Sequence, residues 1–331
     1  MPDVAVIGGS GYAGALAANL VWRHPFFELT VVTSRSDAGR RLDELHPRYR
    51  VPLELEELDL DRHGDADAAL VAYPHGASAP VVAELRARGS FVVDLSADFR
   101  LRELDTYRRF YGDHGAPDLL ESSVYGLTEL HRDEIAGAEL VANPGCYPTA
   151  ALLALAPLAR AGAIADVVID AKSGVSGAGR EANDTTHFVS ADENVNPYGI
   201  AGHRHGPEIE QELAALGAPI AATFIPHLVP LDQGELVSCY VTPSRELAAD
   251  ELAVLYEDSY AEEPFVELSD RPPGVRDVRD TNICRILTHA DGHTGKLLVF
   301  AAIDNLWKGA ASQAVQNLNL MFGRPEGEGI S

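Results

Sequence analysis

One stretch near the start constrains this chain more than any other: DVAVIGGSGYAGALAANLVWRHP, residues 3–25. A short apolar run ends in glycines and passes into a segment whose alanines and leucines recur at helical spacing, the pattern of a strand, a tight turn and a helix. Gly8, Gly11 and Gly14 stand in a GxxGxxG spacing across that turn. Glycine lets the backbone approach a pyrophosphate closely, and the helix start offers free N–H groups and the positive end of its dipole. A glycine triplet alone is weak evidence. Placed between a first strand and a first helix, it favours a dinucleotide over a plain tight turn.

The same texture continues. LTVVTS, ALVAYP and FVVDLS read as further strands, with a helix over about residues 79–88 before the last of them. Strands alternating with helices predict parallel pairing in an open, doubly wound sheet, an α/β domain of Rossmann type. Where the second strand ends, an NAD site usually places Asp or Glu for the ribose 2′-hydroxyl. This chain has Thr33, Ser34, Arg35 and Ser36 there. Hydroxyls and a guanidinium suit a 2′-phosphate, so NADP is the expected dinucleotide; the competing reading leaves Arg35 on a solvated turn.

After ELVANPGCYPTAALLALAPLARAG, a strand leading into a helix that ends near Gly162, the pattern changes. VVIDAKSGVSGAG, AATFIPHLVP, GELVSCYVTP and KLLVFAAID read as long strands joined by glycine- and proline-rich loops. They predict a second, α+β domain with a mixed, largely antiparallel sheet. The closing NLWKGAASQAVQNLNLMFG reads as an amphipathic helix that packs back on the first domain. The expected division is a dinucleotide-binding domain over 1–147, completed by a C-terminal helix at 305–323, and a second domain over 148–304.

A chain of 331 residues accommodates two such domains. Against 50 acidic residues stand 26 lysines and arginines, a net charge of -24, and only Lys172, Lys296 and Lys308 are lysines. That balance repels a phosphate backbone and an anionic membrane, so neither nucleic acid nor membrane is expected as a partner. The acids are spread along the chain, the texture of a solvated shell, and the lysine-poor acidity resembles that of proteins from salt-accumulating halophiles. No basic-then-apolar signal pattern opens the chain and no apolar run approaches about 18 residues, which predicts a cytoplasmic protein. Cys146, Cys239 and Cys284 have neither disulfide-framework nor CxxC spacing, so reduced thiols are expected.

In NPGCYPTA, residues 143–150, Cys146 precedes Tyr147 and Pro148, and proline is favoured in a first helical turn. A sulfur at a helix start has its thiolate favoured by the dipole, although such a cysteine on its own is as compatible with packing as with catalysis. Cys239 and Cys284 fall inside strand patterns and read as packing residues. AGHRHGPEIEQELAALG sets His203 and His205 ahead of a helix starting near Pro207, where an imidazole tends to stay neutral and so able to act as a base. His-x-His also has metal-ligand spacing, but no acid or thiol in register completes a set, so no metal is expected. Arg100 follows a strand end, where a parallel sheet opens its crevice; it suits a phosphate or carboxylate, or a surface ion pair with Asp98 or Glu103. SGVSGAGR, residues 173–180, reads as a glycine-serine loop facing nicotinamide or substrate, or as a plain surface loop.

Taken in order, GGSGYAG, YPHGAS, DLSADFRL, NPGCYPTA, SGVSGAGR and HRHGPEIEQ resemble the N-acetyl-γ-glutamyl-phosphate reductase family, within the aspartate-semialdehyde dehydrogenase superfamily, from about residue 3 to about residue 322. The resemblance implies that Cys146 is the catalytic cysteine, that the acid/base imidazole is His203 or His205, and that Arg100 holds the substrate phosphate, with Ser173 and Gly174 on the substrate side. It implies cofactor contacts from Gly8, Ser10, Gly11, Tyr12, Ala13 and Gly14, from Ser34, Arg35 and Ser36, from the loop Tyr73, Pro74, His75 and Gly76, and from Asn305. It makes the second domain catalytic and dimerising, in a homodimer or homotetramer.

The implied reaction is NADPH-dependent reduction of an amino-blocked γ-glutamyl phosphate to the semialdehyde, in arginine biosynthesis. The Cys146 thiolate displaces phosphate, the thioester takes hydride, and a histidine protonates the resulting oxygen. The amine is blocked by acetyl or by an acidic carrier protein of LysW type; the carrier form extends to 2-aminoadipate phosphate and lysine biosynthesis. The rivals are an aspartate-semialdehyde dehydrogenase-like or glyceraldehyde-phosphate dehydrogenase-like enzyme, against both of which HRHGPEIEQ argues, and a non-catalytic NADP-binding regulator, against which the intact cysteine, histidines, arginine and glycine loops argue.

Overall fold

Six strands, all paired in parallel, form the sheet that carries the glycine turn: β1 Asp3–Ile7, β2 Glu28–Thr33, β3 Ala68–Val71, β4 Phe91–Asp94, β5 Val124–Tyr125 and β6 Leu140–Ala142. Their order is β2-β1-β3-β4-β6-β5. Val4 to Ile7 are fully buried, as expected of a parallel strand covered on both faces. The computed structural model describes residues 1–330 and separates them into two units: Met1–Gly145 with the chain from Ala310 onward, and Cys146–Gly309.

In the first unit the helix Tyr12–Trp22 follows the glycine turn, with Gly14 to Val21 buried. The helix Ser78–Ala87 is capped by a neighbouring element: the fully buried Asp98 carboxylate accepts N–H bonds from Gly76 at 2.7 Å and Ala79 at 2.9 Å, satisfying donors a helix start leaves open. The last helix, Ser312–Met321, begins later than its sequence suggests, after a π-helical turn at Trp307–Ala311. It is also not amphipathic in burial. Ser312 to Asn319 are all buried, and the amide donors of Gln313 and Asn317 find acceptors inside. Gln313 donates to Thr128 at 2.9 Å, and Asn317 donates to the Gly126 carbonyl at 2.8 Å and to the Asn143 side chain at 3.1 Å. An amide N–H that finds an acceptor can be buried at small net cost, which is why the polar face does not turn to water.

The second unit is built on a mixed sheet: β7 Ile164–Gly174, β8 Asn196–Pro197, β9 Thr223–Val229, β10 Glu235–Pro243, β11 Val266–Leu268, β12 Cys284–Ala290 and β13 Leu297–Ile303. The order is β11-β12-β13-β10-β7-β9-β8, antiparallel except at β11/β12 and β7/β9. Central β10 pairs antiparallel with β7 on one side and β13 on the other. Against it packs the helix Cys146–Arg160, in which every residue from Tyr147 to Ala159 is buried. Leu152, Leu153, Leu155 and Leu158 are fully buried, each contributing about 2–3 kcal/mol of transfer free energy. Cys239 and Cys284 are buried in this core, and burial pushes the Cys239 thiol well above its ordinary value. Among the described residues no helix is long and apolar enough to cross a membrane.

Candidate active site

In the first unit the strand ends converge on the glycine turn. Gly8 has φ +91°, and a Cβ there would lie 2.8 Å from the Ala72 carbonyl oxygen; a Cβ on Gly14 would lie 2.3 Å from the Gly8 oxygen. The turn is thus closed against β3 and against its own helix, while Gly11, the N-cap of that helix, meets nothing nearer than 3.9 Å. That open, side-chain-free helix start is the cradle a pyrophosphate needs, and the residues fit a dinucleotide.

At the end of β2, Ser34 is buried, donates its hydroxyl to Ser10 at 2.8 Å and accepts from the Asp37 N–H at 3.1 Å. It ties the glycine turn to the strand end. Arg35 and Ser36 are exposed, and the Arg35 guanidinium lies 5.0 Å from the Tyr73 ring centroid. An acid does stand nearby, Asp37, but its carboxylate takes the Ser36 hydroxyl and the Arg40 guanidinium, both at 2.8 Å. Pro74, His75 and Gly76 are exposed after β3, with His75 edge-on to Tyr111.

At the end of β4 the chain is strongly polar inside. Fully buried Asp94 accepts from the Ser78 and Ser96 hydroxyls, both at 2.6 Å, yet burial raises its pKa to about 6. Because this folded value lies above that of an unfolded Asp, protonation stabilises the fold; the gain is present at low pH and is lost as pH rises through 6. Relative to Asp94→Asn, the wild type is expected to lose about 2 kcal/mol of stability between pH 4 and pH 7, read from denaturant melts of both.

Arg100 is buried, and its guanidinium donates inward to the backbone. Its Nε donates to the Asn143 carbonyl and one Nη to the Leu95 carbonyl, both at 2.8 Å. Asn143 is held further by its N–H to the Asp94 carbonyl at 2.8 Å and by its amide to the Ala310 carbonyl at 3.1 Å. The Asn-Pro-Gly turn that delivers the chain to Cys146 is therefore pinned from several sides.

In the second unit Cys146 opens the helix Cys146–Arg160 and is partly exposed. A Cβ at Gly309 would lie 2.7 Å from the Cys146 Cβ, so glycine is what leaves room for the cysteine. The Tyr147 ring gathers the histidines: His203 lies edge-on at 6.1 Å and His205 at 5.8 Å, and the two imidazoles meet at 4.8 Å. The Tyr198 hydroxyl donates to that of Tyr147 at 3.2 Å, which donates to the His227 carbonyl at 3.3 Å. Contrary to the sequence reading, His205 is not ahead of its helix but is the first residue of it, His205–Ala215. Its N–H donates to His203 Nδ1 at 3.1 Å. Burial, with Arg204 adding to it, lowers the His203 pKa to about 4. His203 is thus neutral, with Nδ1 accepting and its proton on Nε2.

SGVSGAGR is not a loose surface loop at its start. Ser173 and Ser176 are buried, and a Cβ on Gly174 would lie 2.8 Å from the Asp232 carbonyl oxygen. Asn305, buried, accepts from the Gly234 N–H at 2.7 Å and donates to the Ser176 hydroxyl at 3.1 Å, so it joins that turn to the start of β10. The sequence reading missed Glu235, the first residue of β10. It is fully buried, and neither carboxyl oxygen meets a partner in ordinary hydrogen-bond geometry among the described residues. Burial raises its pKa to about 8, while the neighbouring Cys146 thiol pulls the other way. The signal was available: in GELVSCYVT, alternation puts residues 235, 237, 239 and 241 on one face, and only the first is charged.

Comparison with known proteins covers the chain almost end to end. A family described as semialdehyde dehydrogenase, NAD binding domain, matches residues 3–138, and one described as semialdehyde dehydrogenase, dimerisation domain, matches 146–305. The chain is 49% identical to the N-acetyl-gamma-glutamyl-phosphate reductase of Moorella thermoacetica, over 98% of this chain and 97% of that one. It is 48% identical to the enzyme of the same name from Halorhodospira halophila, over 100% and 98%. Among solved structures, aspartate semialdehyde dehydrogenase II of Vibrio cholerae superposes with a TM-score of 0.74 at 20% identity, over 98% of each chain, a likeness of fold.

Proposed function

Because this chain belongs to the N-acetyl-γ-glutamyl-phosphate reductase family, oxidoreductases acting on an acyl phosphate, we propose that it reduces N-acetyl-γ-glutamyl phosphate to the semialdehyde with NADPH through a thioester on Cys146. The observation that carries the reading is the placement of Cys146 at the start of a buried helix, with His203 and His205 gathered on the ring of the next residue.

The Cys146 sulfur attacks the γ-carbonyl carbon, and phosphate leaves with the electron pair of the broken carbon–oxygen bond. Arg100, whose guanidinium holds the turn before Cys146, supplies the positive charge for that phosphate. When bound, NADPH supplies the hydride that converts the thioester to a thiohemiacetal. His203 or His205, in its protonated form, gives a proton to the oxygen as hydride arrives and takes it back as the carbon–sulfur bond breaks, releasing the semialdehyde. The exposed Arg35 and Ser36 hold the 2′-phosphate of the cofactor, and the segment matched as a dimerisation domain pairs copies of the chain.

Arg35→Ala is expected to lower kcat/KM with NADPH by about 10- to 100-fold while leaving the rate with NADH unchanged, since a hydrogen bond between charged groups contributes about 1.5–3 kcal/mol. Steady-state kinetics with both cofactors check this. The function itself is tested by NADP- and phosphate-dependent oxidation of N-acetylglutamate semialdehyde. Turnover with that substrate and not with aspartate semialdehyde is expected. Turnover only with a carrier-linked glutamate or 2-aminoadipate semialdehyde would replace the acetyl substrate, and NADP binding with no turnover on any of them would overturn the enzymatic reading.

A further inference from the structure

Glu235 occupies a position that strand geometry reserves for the core. The residues sharing its face of β10, Val237, Cys239 and Val241, are all buried, and Glu235 itself is 0% exposed. Its strand partners are Ile303 on β13 and Ser173 on β7. The start of β10 is rigid: Gly234 is held by Asn305, and Gln233 donates to the carboxylates of Asp280 and Asp304, each at 2.8 Å. A carboxyl placed there for structure would be given donors, because burying it without them is costly. This one has none in ordinary geometry, and Cys146 is its neighbour: a Cβ on Gly309 would touch both the Cys146 Cβ and Ile303, the strand partner of Glu235, and the thiol is the one hydrogen-bonding side chain that bears on the carboxyl. The titratable groups that face it are Cys146 and Tyr147 from the helix, Tyr198 after β8, and Asp304 after β13. None of these is a cation.

We propose that Glu235 is a further catalytic residue, the base that removes the Cys146 thiol proton as sulfur attacks the acyl carbon and returns it when the carbon–sulfur bond breaks. The proposal rests on Cys146 as the nucleophile. In the forward step the S–H bond breaks and its proton passes to a Glu235 oxygen, the S–C bond forms, and the C–O bond to phosphate breaks. In the closing step the C–S bond breaks, sulfur keeps that electron pair, and the Glu235 carboxylic acid protonates it. His203 is poorly suited to this task, since its Nδ1 lone pair already accepts the His205 N–H and its Nε2 carries a proton; it can donate a hydrogen bond to the substrate oxygen but has no site to take a proton from sulfur. A carboxyl titrating near 8 is a base matched to neutral pH, where its conjugate acid is still strong enough to reprotonate the sulfur.

The test is kcat/KM for semialdehyde oxidation against pH from 6 to 10, for wild type, Glu235→Gln, Glu235→Asp and Cys146→Ser, with cofactor binding by each as the control of fold. The wild-type rate is expected to rise with pH as Glu235 ionises. Glu235→Gln, nearly isosteric, is expected to fall by about 10²–10⁴-fold and to lose that rising limb. Glu235→Asp, shorter by one methylene, is expected to be slower than wild type but to keep the limb. A Glu235→Gln variant with the wild-type limb and rate, or a Glu235→Asp variant without the limb, overturns the base while Cys146→Ser inactivity leaves the nucleophile standing. Turnover by Cys146→Ser overturns the nucleophile and the base together.

Discussion

Cys146→Ser is expected to lower kcat at least about a thousand-fold, equivalent to about 4 kcal/mol of barrier, while leaving cofactor affinity and thermal stability within error of wild type. The argument is chemical before it is structural. Serine keeps the shape, and a smaller Oγ does not crowd the space that Gly309 leaves open beside the Cys146 Cβ. What it lacks is a readily formed anion: a thiol gives a nucleophile near neutral pH and a good leaving group from the thiohemiacetal, and a hydroxyl gives neither. Because the helix Cys146–Arg160 is buried from Tyr147 to Ala159, the fold should not register the change. Stopped-flow cofactor fluorescence and thermal melts on the same preparation separate lost chemistry from lost structure.

Gly14→Ala is expected to weaken NADPH binding by about 100-fold or more, or about 2.7 kcal/mol, with a comparable loss of stability. Propensity points the other way: alanine in a first helical turn is favoured over glycine by up to about 1 kcal/mol. The contact decides the sign. The added Cβ would lie 2.3 Å from the Gly8 carbonyl oxygen and 3.0 Å from the Gly9 Cα, and both neighbours are backbone, so neither can swing aside. Relief requires the turn to open, which withdraws the Gly11 N–H cradle from the pyrophosphate. Calorimetric titration with NADPH checks it, and an unchanged dissociation constant would remove the glycine turn from the cofactor site.

Those two sites were also the most legible in the sequence, for one reason. Each is local: strand, glycine turn and helix start lie within about a dozen consecutive residues in DVAVIGGSGYAG, and Cys146 sits beside its own helix in NPGCYPTA. Both sheets were legible from alternation and from the switch in loop texture. Interactions between distant residues were not. Nothing in DFRL says that Arg100 turns inward to the Asn143 carbonyl 43 residues away, and the closing helix reads as amphipathic because its amides are polar, although Thr128, Gly126 and Asn143 accept the N–H groups of Gln313 and Asn317 in the interior. Hydrogen bonding across such separations cannot be read from periodicity, which reports only whether a face is apolar. Glu235 lay between these cases, visible as a charge out of phase but without the thiol that gives it meaning.

The central claim, that the reaction passes through a thioester on Cys146, is tested most directly by mixing the enzyme with N-acetylglutamate semialdehyde and NADP in the absence of phosphate. One equivalent of NADPH per active site is expected in a burst, with the acyl group on Cys146 by mass spectrometry, followed by steady turnover once phosphate is added. Steady turnover that needs phosphate from the first event, with no burst and no acylated Cys146, would contradict the covalent route and place hydride transfer before any bond to sulfur.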